Sequence, residues 1–211
     1  MIRGMIFDLD GTLVDSLPGI AEALNLALAE HDLKTYTLEE VTRFIGKGAR
    51  ALADLALGER KAELGPVIFE GFQHHYKETW KTGTHHFPGI PELLARLHSE
   101  DMPLAVLSNK PHYHTCNIVK AMFDDHLFSP VLGAREEIPP KPDPSVALEI
   151  AASWNLPPED VCYVGDSTVD LATAQNAKMV PAIFSWGYGA PEGIPLLKDV
   201  HEFEEFIANH S

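Results

Sequence analysis

The chain has 211 residues, 45% hydrophobic and 22% charged, with a formal net charge of −15. That size and mixture exclude a disordered chain and suit one sizeable core with room for a small second domain. The acidic balance argues against nucleic acid and anionic lipid as partners, and it demands local cations wherever an anionic substrate binds.

The first apolar run, residues 2–7, predicts a short buried strand that stops abruptly at Asp8-Leu9-Asp10-Gly11-Thr12. From Leu17 to Trp80 the pattern is helical. Leu17, Ile20, Ala21, Leu24 and Leu28 recur at spacings of three and four, as do Leu38, Val41, Ile45 and then Ala49, Leu52, Ala53, Leu57. A further helix is predicted over about 60–80 with a polar face at Gln73-His74-His75-Tyr76, and no strand is predicted in this stretch. Phe87-Pro88-Gly89 punctuates the chain. Beyond it the texture alternates. Helix is predicted at 91–99, strand at 103–107 ending at Ser108, helix at 112–122, strand at Val131-Leu132, and helix at 144–154 with Asp143 as its cap. Strand at 161–164, stopped by Gly165-Asp166, helix at 168–176 and strand at 180–184 complete the series.

Strands alternating with helices imply βαβ units, so the fold class is α/β, a Rossmann-like and mostly parallel sheet. The all-helical stretch 16–86 is an insertion after the first strand, a lid or second domain; residues 1–15 and 87–211 form the core. No internal repeat or low-complexity segment is seen. Cys116 and Cys162 do not make a disulfide framework and are expected as reduced thiols. No leader pattern opens the chain, and no apolar run approaches the ~18 residues that span a membrane. A soluble, cytoplasmic protein is expected.

Ligands of open parallel sheets bind beyond the carboxyl ends of the strands. At those ends stand Asp8 and Asp10, then Ser108, Asn109 and Lys110, then Gly165, Asp166, Ser167, Thr168 and Asp170; Lys141 lies in a proline-rich segment nearby. Singly, each has a plain structural reading. Asp166 would cap a helix, Ser108 would close a turn, and Lys141 would be a solvated charge. Together, four acids, a hydroxyl and a lysine converge on one edge. Asp8 and Asp166 supply hard oxygen ligands that suit Mg²⁺, which relieves the repulsion between the acids and draws in a phosphate. Asp170, one turn after Asp166, can reach the same spot.

This combination resembles the haloacid dehalogenase superfamily of phosphotransferases. The resemblance rests on Asp8-Leu9-Asp10-Gly11-Thr12, Ser108 after an apolar strand, Lys141, and Gly165-Asp166-Ser167-Thr168-Val169-Asp170. It implies that 16–86 is the cap domain. It implies Asp8 as nucleophile forming an aspartyl-phosphate, and Asp10 as the acid and then base. Ser108, Asn109 and Lys141 would hold the phosphoryl oxygens, and Mg²⁺ would bind Asp8, the Asp10 carbonyl and Asp166, with Asp170 behind them. An aspartate at position 10 favours phosphoryl transfer over carbon–halogen cleavage, because halide needs no proton.

Leu13-Val14-Asp15-Ser16, Phe44-Ile45-Gly46-Lys47-Gly48-Ala49, Ser108-Asn109-Lys110-Pro111, Lys141-Pro142-Asp143-Pro144 and Trp186-Gly187-Tyr188-Gly189 look like phosphoglycolate phosphatases. Lys47 stands where many relatives have a neutral residue, and Ser108 where many have threonine. Gly46-Lys47-Gly48 also mimics a dinucleotide fingerprint, but it follows a helical pattern and not a strand. It predicts a cap loop over the site, from which Lys47 or Arg50 would meet a substrate carboxylate. Lys47 is also the candidate imine-forming lysine of a phosphonate hydrolase. His74-His75 and His85-His86 are read as solvated histidines. The expected function is Mg²⁺-dependent hydrolysis of a small phosphorylated metabolite, phosphoglycolate first, by a monomer or homodimer. The alternatives are a sugar phosphomutase resembling β-phosphoglucomutase, a broad-specificity phosphatase or pyrophosphatase, and a catalytically inactive binding module.

Overall fold

The structure is a computed structural model in which residues 1–210 are described. Five parallel strands make the central sheet: β1 (Gly4–Phe7), β4 (Leu104–Pro111), β5 (Val131–Ala134), β6 (Val161–Gly165) and β7 (Val180–Ile183), in the order β5-β4-β1-β6-β7. Alternate residues of each strand face opposite layers. Met5 and Phe7 of β1, Leu104 and Val106 of β4, and Cys162 and Val164 of β6 pack on one side; Ile6, Ala105, Leu107, Val161 and Tyr163 pack on the other. Helices α5 (Ile90–Ser99), α6 (His112–Met122) and α9 (Val200–Asn209) cover the first side, and α7 (Ser145–Ser153) and α8 (Thr168–Ala177) the second. Burial on both faces is why these strands read as unbroken apolar runs.

Between two short strands, β2 (Val14–Asp15) and β3 (His85–His86), the chain runs through α1 (Leu17–Ala29), α2 (Leu38–Thr42), α3 (Ala49–Leu57) and α4 (Lys61–Thr82). A Thr37–Glu40 capping box starts α2. Helices α1 and α4 meet closely, with Thr79 Oγ1 donating to the Gly19 carbonyl at 2.8 Å. β2 and β3 pair antiparallel, Val14 with His86 and Asp15 with His85, so the chain leaves and re-enters the sheet layer as one narrow ribbon.

Four expectations need correction. The ribbon lies outside the 17–80 stretch in which no strand is predicted, but β3 ends the segment 16–86 read as all helical, and His86 is half-buried, its Nε2 meeting the Met122 carbonyl at 2.8 Å. Two residues are too few to show an alternation. Tyr76 is not on a polar face but is buried, at 1% exposure. β4 continues past Ser108 to Pro111; Ser108 and Lys110 are buried polar residues, and their polarity hid the strand. Helix α9 was not anticipated, although Asp199 caps it by accepting from Glu202 N and Phe203 and Ile207 bury its inner face. Among the described residues no helix is long and apolar enough to cross a membrane.

Candidate active site

Asp8 directly follows β1, and its amide continues the ladder by donating to the Val164 carbonyl at 2.9 Å. This aims its side chain at the carboxyl edge of the sheet, where it is 9% exposed. Lys141 Nζ lies 3.0 Å from Asp8 Oδ1 and 2.7 Å from Asp170 Oδ1. Asp170 Oδ2 accepts from the backbone and hydroxyl of Ser167 at 3.1 and 2.5 Å, so the same carboxylate that grips Lys141 also completes the capping box of α8. Asp166 Oδ1 accepts from Thr12 Oγ1 at 2.9 Å, and its Oδ2 from Tyr188 N at 2.7 Å. The Tyr188 loop can lie this close only because Gly187 has no side chain: a Cβ there would stand 2.2 Å from Asp166 Oδ2.

Carboxylate oxygens of Asp8, Asp166 and Asp170 lie within 4.8 Å of one another. Burial pushes Asp8 up to about 6, opposed by Lys141 and reinforced by Asp170 and Asp10. Burial, then Asp170 and Asp8, push Asp166 up to about 8. For Lys141, burial favours the neutral amine, but Asp170 and Asp8 outweigh it and hold the ammonium charged well beyond the ordinary lysine range. Crowded, dehydrated carboxylates of this kind fit a hard divalent cation. Asp170 is tied to the Lys141 ammonium and to the start of α8, so Asp8 and Asp166 are the pair offered to a cation, Asp166 through oxygens that also accept from Thr12 and Tyr188.

Asp10 faces a different neighbour. Its Oδ1 accepts from Ser16 Oγ at 2.6 Å, and Lys110 Nζ donates to Oδ1 and Oδ2 at 2.9 and 2.8 Å. Asp8, Asp10, Ser108, Asn109 and Lys110 form the floor of a cavity of about 550 Å³ including its open mouth. Ile20 of α1, Leu52 of α3 and Phe72 and Tyr76 of α4 stand over it.

The sequence pattern of haloacid dehalogenase-like hydrolases matches residues 5–183. The chain belongs to that family. A phosphoglycolate phosphatase of Yersinia pestis is 34% identical over 197 residues, covering 92% of this chain and 85% of the relative. One from Cereibacter sphaeroides is 38% identical over 193 residues, covering 88% and 86%. Among solved structures, a candidate phosphoglycolate phosphatase from Lactobacillus delbrueckii subsp. bulgaricus superposes with a TM-score of 0.87 at 26% identity, over 97% of this chain and 98% of that one. The protein is a haloacid dehalogenase-like enzyme, a phosphoric monoester hydrolase.

In this hydrolase Asp8, Asp10, Ser108, Lys141, Asp166 and Asp170 meet at one strand edge. Asn109 is there too, but its side chain faces protein: Oδ1 accepts from Lys141 N at 2.9 Å, and Nδ2 donates to the carbonyls of Lys141 and Gly46 at 3.1 and 3.3 Å. Lys47 and Arg50 are exposed and stand outside the cavity wall; Arg50 lies 3.7 Å from Asp54 and over the Phe69 ring. An imine-forming lysine on the cavity wall is therefore not provided by Lys47. His75 meets Glu30 at 2.9 Å, and neither histidine pair joins a metal-binding group among the described residues.

Two residues of this hydrolase's site were given no role from sequence. Lys110 is one; it follows Ser108 by two along β4, the spacing that puts two strand residues on one face. Tyr188 is the other. Its hydroxyl accepts from Ser16 N and Leu17 N at 2.8 and 3.0 Å and donates to Asp15 Oδ1 at 2.7 Å. A distant phenol thus caps α1, and Ser16 is freed to hold Asp10. No local sequence signal marks such a long-range cap.

The raised acids predict how metal-free protein responds to pH. Above pH 4 the folded state keeps a proton on Asp8 up to about pH 6 and on Asp166 up to about pH 8 that the unfolded state has released. The native state then binds more protons, so stability falls as pH rises through this window. Melts of EDTA-treated protein from pH 5 to 8 are expected to drop by several degrees, and Mg²⁺ is expected to flatten the slope. A metal-free Tm that rises over the same range would contradict this electrostatic reading.

Proposed function

We propose that this hydrolase is a Mg²⁺-dependent phosphatase that opens small phosphate monoesters through an aspartyl-phosphate on Asp8. The observation that carries the proposal is the setting of Asp8: a buried carboxylate at a cavity floor, 3.0 Å from a buried lysine and grouped with Asp166. A metal held by Asp8, Asp166 and the Asp10 carbonyl would neutralise charge on the phosphoryl group. An Asp8 oxygen attacks phosphorus as the bond to the leaving alcohol breaks, and the Asp10 carboxyl gives that oxygen its proton. Ser108 and Lys141 hold phosphoryl oxygens, and Asn109 fixes the backbone of Lys141. In the second step the Asp10 carboxylate takes a proton from water, which attacks phosphorus and releases Asp8. The Lys110 and Ser16 contacts seen here suit that ionised form. Residues 16–86 act as a cap that closes the cavity and keeps water out.

Phosphoglycolate, the ester in the relatives' names, is the first substrate to test. A panel of phosphorylated metabolites, including hexose phosphates, nucleotides and pyrophosphate, is expected to yield inorganic phosphate with Mg²⁺ and none after EDTA treatment. Conversion of a hexose phosphate to its isomer without phosphate release would point to a mutase. Release of phosphate at undiminished rate in EDTA would overturn the metal assignment.

A further inference from the structure

Ser16 occupies the N-cap of α1, a position where serine ordinarily accepts from an amide of the first turn, yet its side chain makes no such bond. The donors there are satisfied without it. Leu17 N donates to the Tyr188 hydroxyl at 3.0 Å, Gly19 N donates to the Gly83 carbonyl at 3.1 Å, and Pro18 has no amide proton. Ser16 N also donates to the Tyr188 hydroxyl, at 2.8 Å. The Ser16 hydroxyl, on a fully buried residue, is thereby left to donate to Asp10 Oδ1 at 2.6 Å.

Tyr188 reaches this point from the loop after β7, and packing and hydrogen bonds fix that loop. Trp186 stacks on Phe184, with 3.8 Å between ring centroids, and on Phe87, where the chain returns from residues 16–86, at 5.4 Å. Tyr188 N donates to Asp166 Oδ2 at 2.7 Å, and the Gly189 carbonyl accepts from Thr168 N at 3.1 Å. At the far end of the side chain the hydroxyl donates to Asp15 Oδ1 at 2.7 Å, and Asp15 pairs with His85 in the β2–β3 ribbon. Burial, then Asp15, keep the phenol protonated, as this donation requires. One residue thus spans from Asp166 to the linker that carries Ser16 against Asp10.

We propose that Tyr188 is a positioning residue for Asp10: its hydroxyl fixes the linker at Ser16, Ser16 holds the Asp10 carboxylate, and Asp166 anchors the other end. This rests on the phosphatase reading above and adds to it the part that keeps the acid–base group and the cation site in one geometry. Without the hydroxyl, the amides of Ser16 and Leu17 lose an acceptor, and the serine gains by turning back to cap its own helix. Asp10 then keeps Lys110 but loses its tie to the linker. Catalysis by a positioned group is sensitive to a misplacement of about 1 Å.

Tyr188→Phe removes only the hydroxyl. It is expected to lower kcat for phosphoglycolate, or for the fastest ester of the panel above, about tenfold, with KM within about twofold of wild type. Ser16→Ala should do the same, and it carries the test if Tyr188→Phe melts early. The double variant should be no slower than the slower single one, because both substitutions break one chain of contacts; independent effects would multiply. Calorimetric titration of Tyr188→Phe with Mg²⁺ alone should give nearly the wild-type affinity, since the amide that donates to Asp166 remains. Either single variant at the wild-type kcat, a multiplied loss in the double variant, or a raised KM with kcat preserved overturns the positioning role. A loss of about tenfold or more in Mg²⁺ affinity, the size expected when a metal ligand's own partner is disturbed, overturns it too by placing the effect at Asp166. Wild type that hydrolyses no ester with Mg²⁺ overturns the phosphatase reading and this inference together.

Discussion

Asp8→Asn is expected to lower kcat by at least about 10⁴-fold while the protein stays folded. The amide has the same shape as the carboxylate and keeps the backbone bond to Val164, but it cannot attack phosphorus. The stability of the variant is the informative companion. Burial holds the Asp8 carboxyl up at about 6, so ionising it at pH 8 opposes folding in metal-free protein. The sign follows from linkage: a raised acid destabilises the native state once pH exceeds its unfolded value. Metal-free Asp8→Asn should therefore unfold at a urea midpoint at least as high as wild type at pH 8. Turnover within tenfold of wild type would remove Asp8 from the chemistry. A large fall in the midpoint would mean that the carboxylate is structural.

Lys141→Met is expected to damage both stability and catalysis. Lys141 is the cation between Asp8 and Asp170, with its side chain 3% exposed. Methionine of similar length leaves two buried carboxyls without it, and Asp170 is also needed to cap α8. Breaking a buried ion pair by removing one partner costs about 3–5 kcal/mol, which for a chain of this size corresponds to a Tm lower by about 10 °C. Since Lys141 holds Asp8 down, its loss should also raise the Asp8 pKa further and move the acid limb of the pH–rate profile upward. A melt at the wild-type temperature would show that the lysine is not needed to neutralise the acids.

Much of this site could be read from the chain because its residues sit at strand ends, where an apolar run stops at a polar group. Asp8, Ser108 and Asp166 each follow a run that the sheet buries on both faces, and sheet topology then brings those ends together. What could not be read depends on contacts between distant segments. Lys110 stands among the polar residues at the end of an apolar run, and only the extension of β4 beneath it points it at Asp10. Tyr188 gains its role from Asp15, Ser16 and Leu17, some 170 residues earlier in the chain. Tyr76 sits in a polar stretch of α4, and only the packing of that helix over the sheet edge turns it into the cavity. Lys47 and Arg50 show the converse. Charge beside glycines in a loop suggested reach toward substrate, yet the backbone itself lines the cavity and both side chains turn outward. For the same reason β2 and β3 went unseen: a two-residue ribbon is defined by its partner and not by any pattern within it.

The account rests on covalent transfer to one side chain, and rapid acid quench during turnover of phosphoglycolate with Mg²⁺, followed by mass spectrometry of the peptides, tests it most directly. The peptide containing Asp8 is expected to carry one added phosphoryl group, absent from Asp8→Asn and from samples lacking metal. Efficient turnover with that peptide unmodified at every quench time, or with the phosphoryl group on another residue, would contradict it.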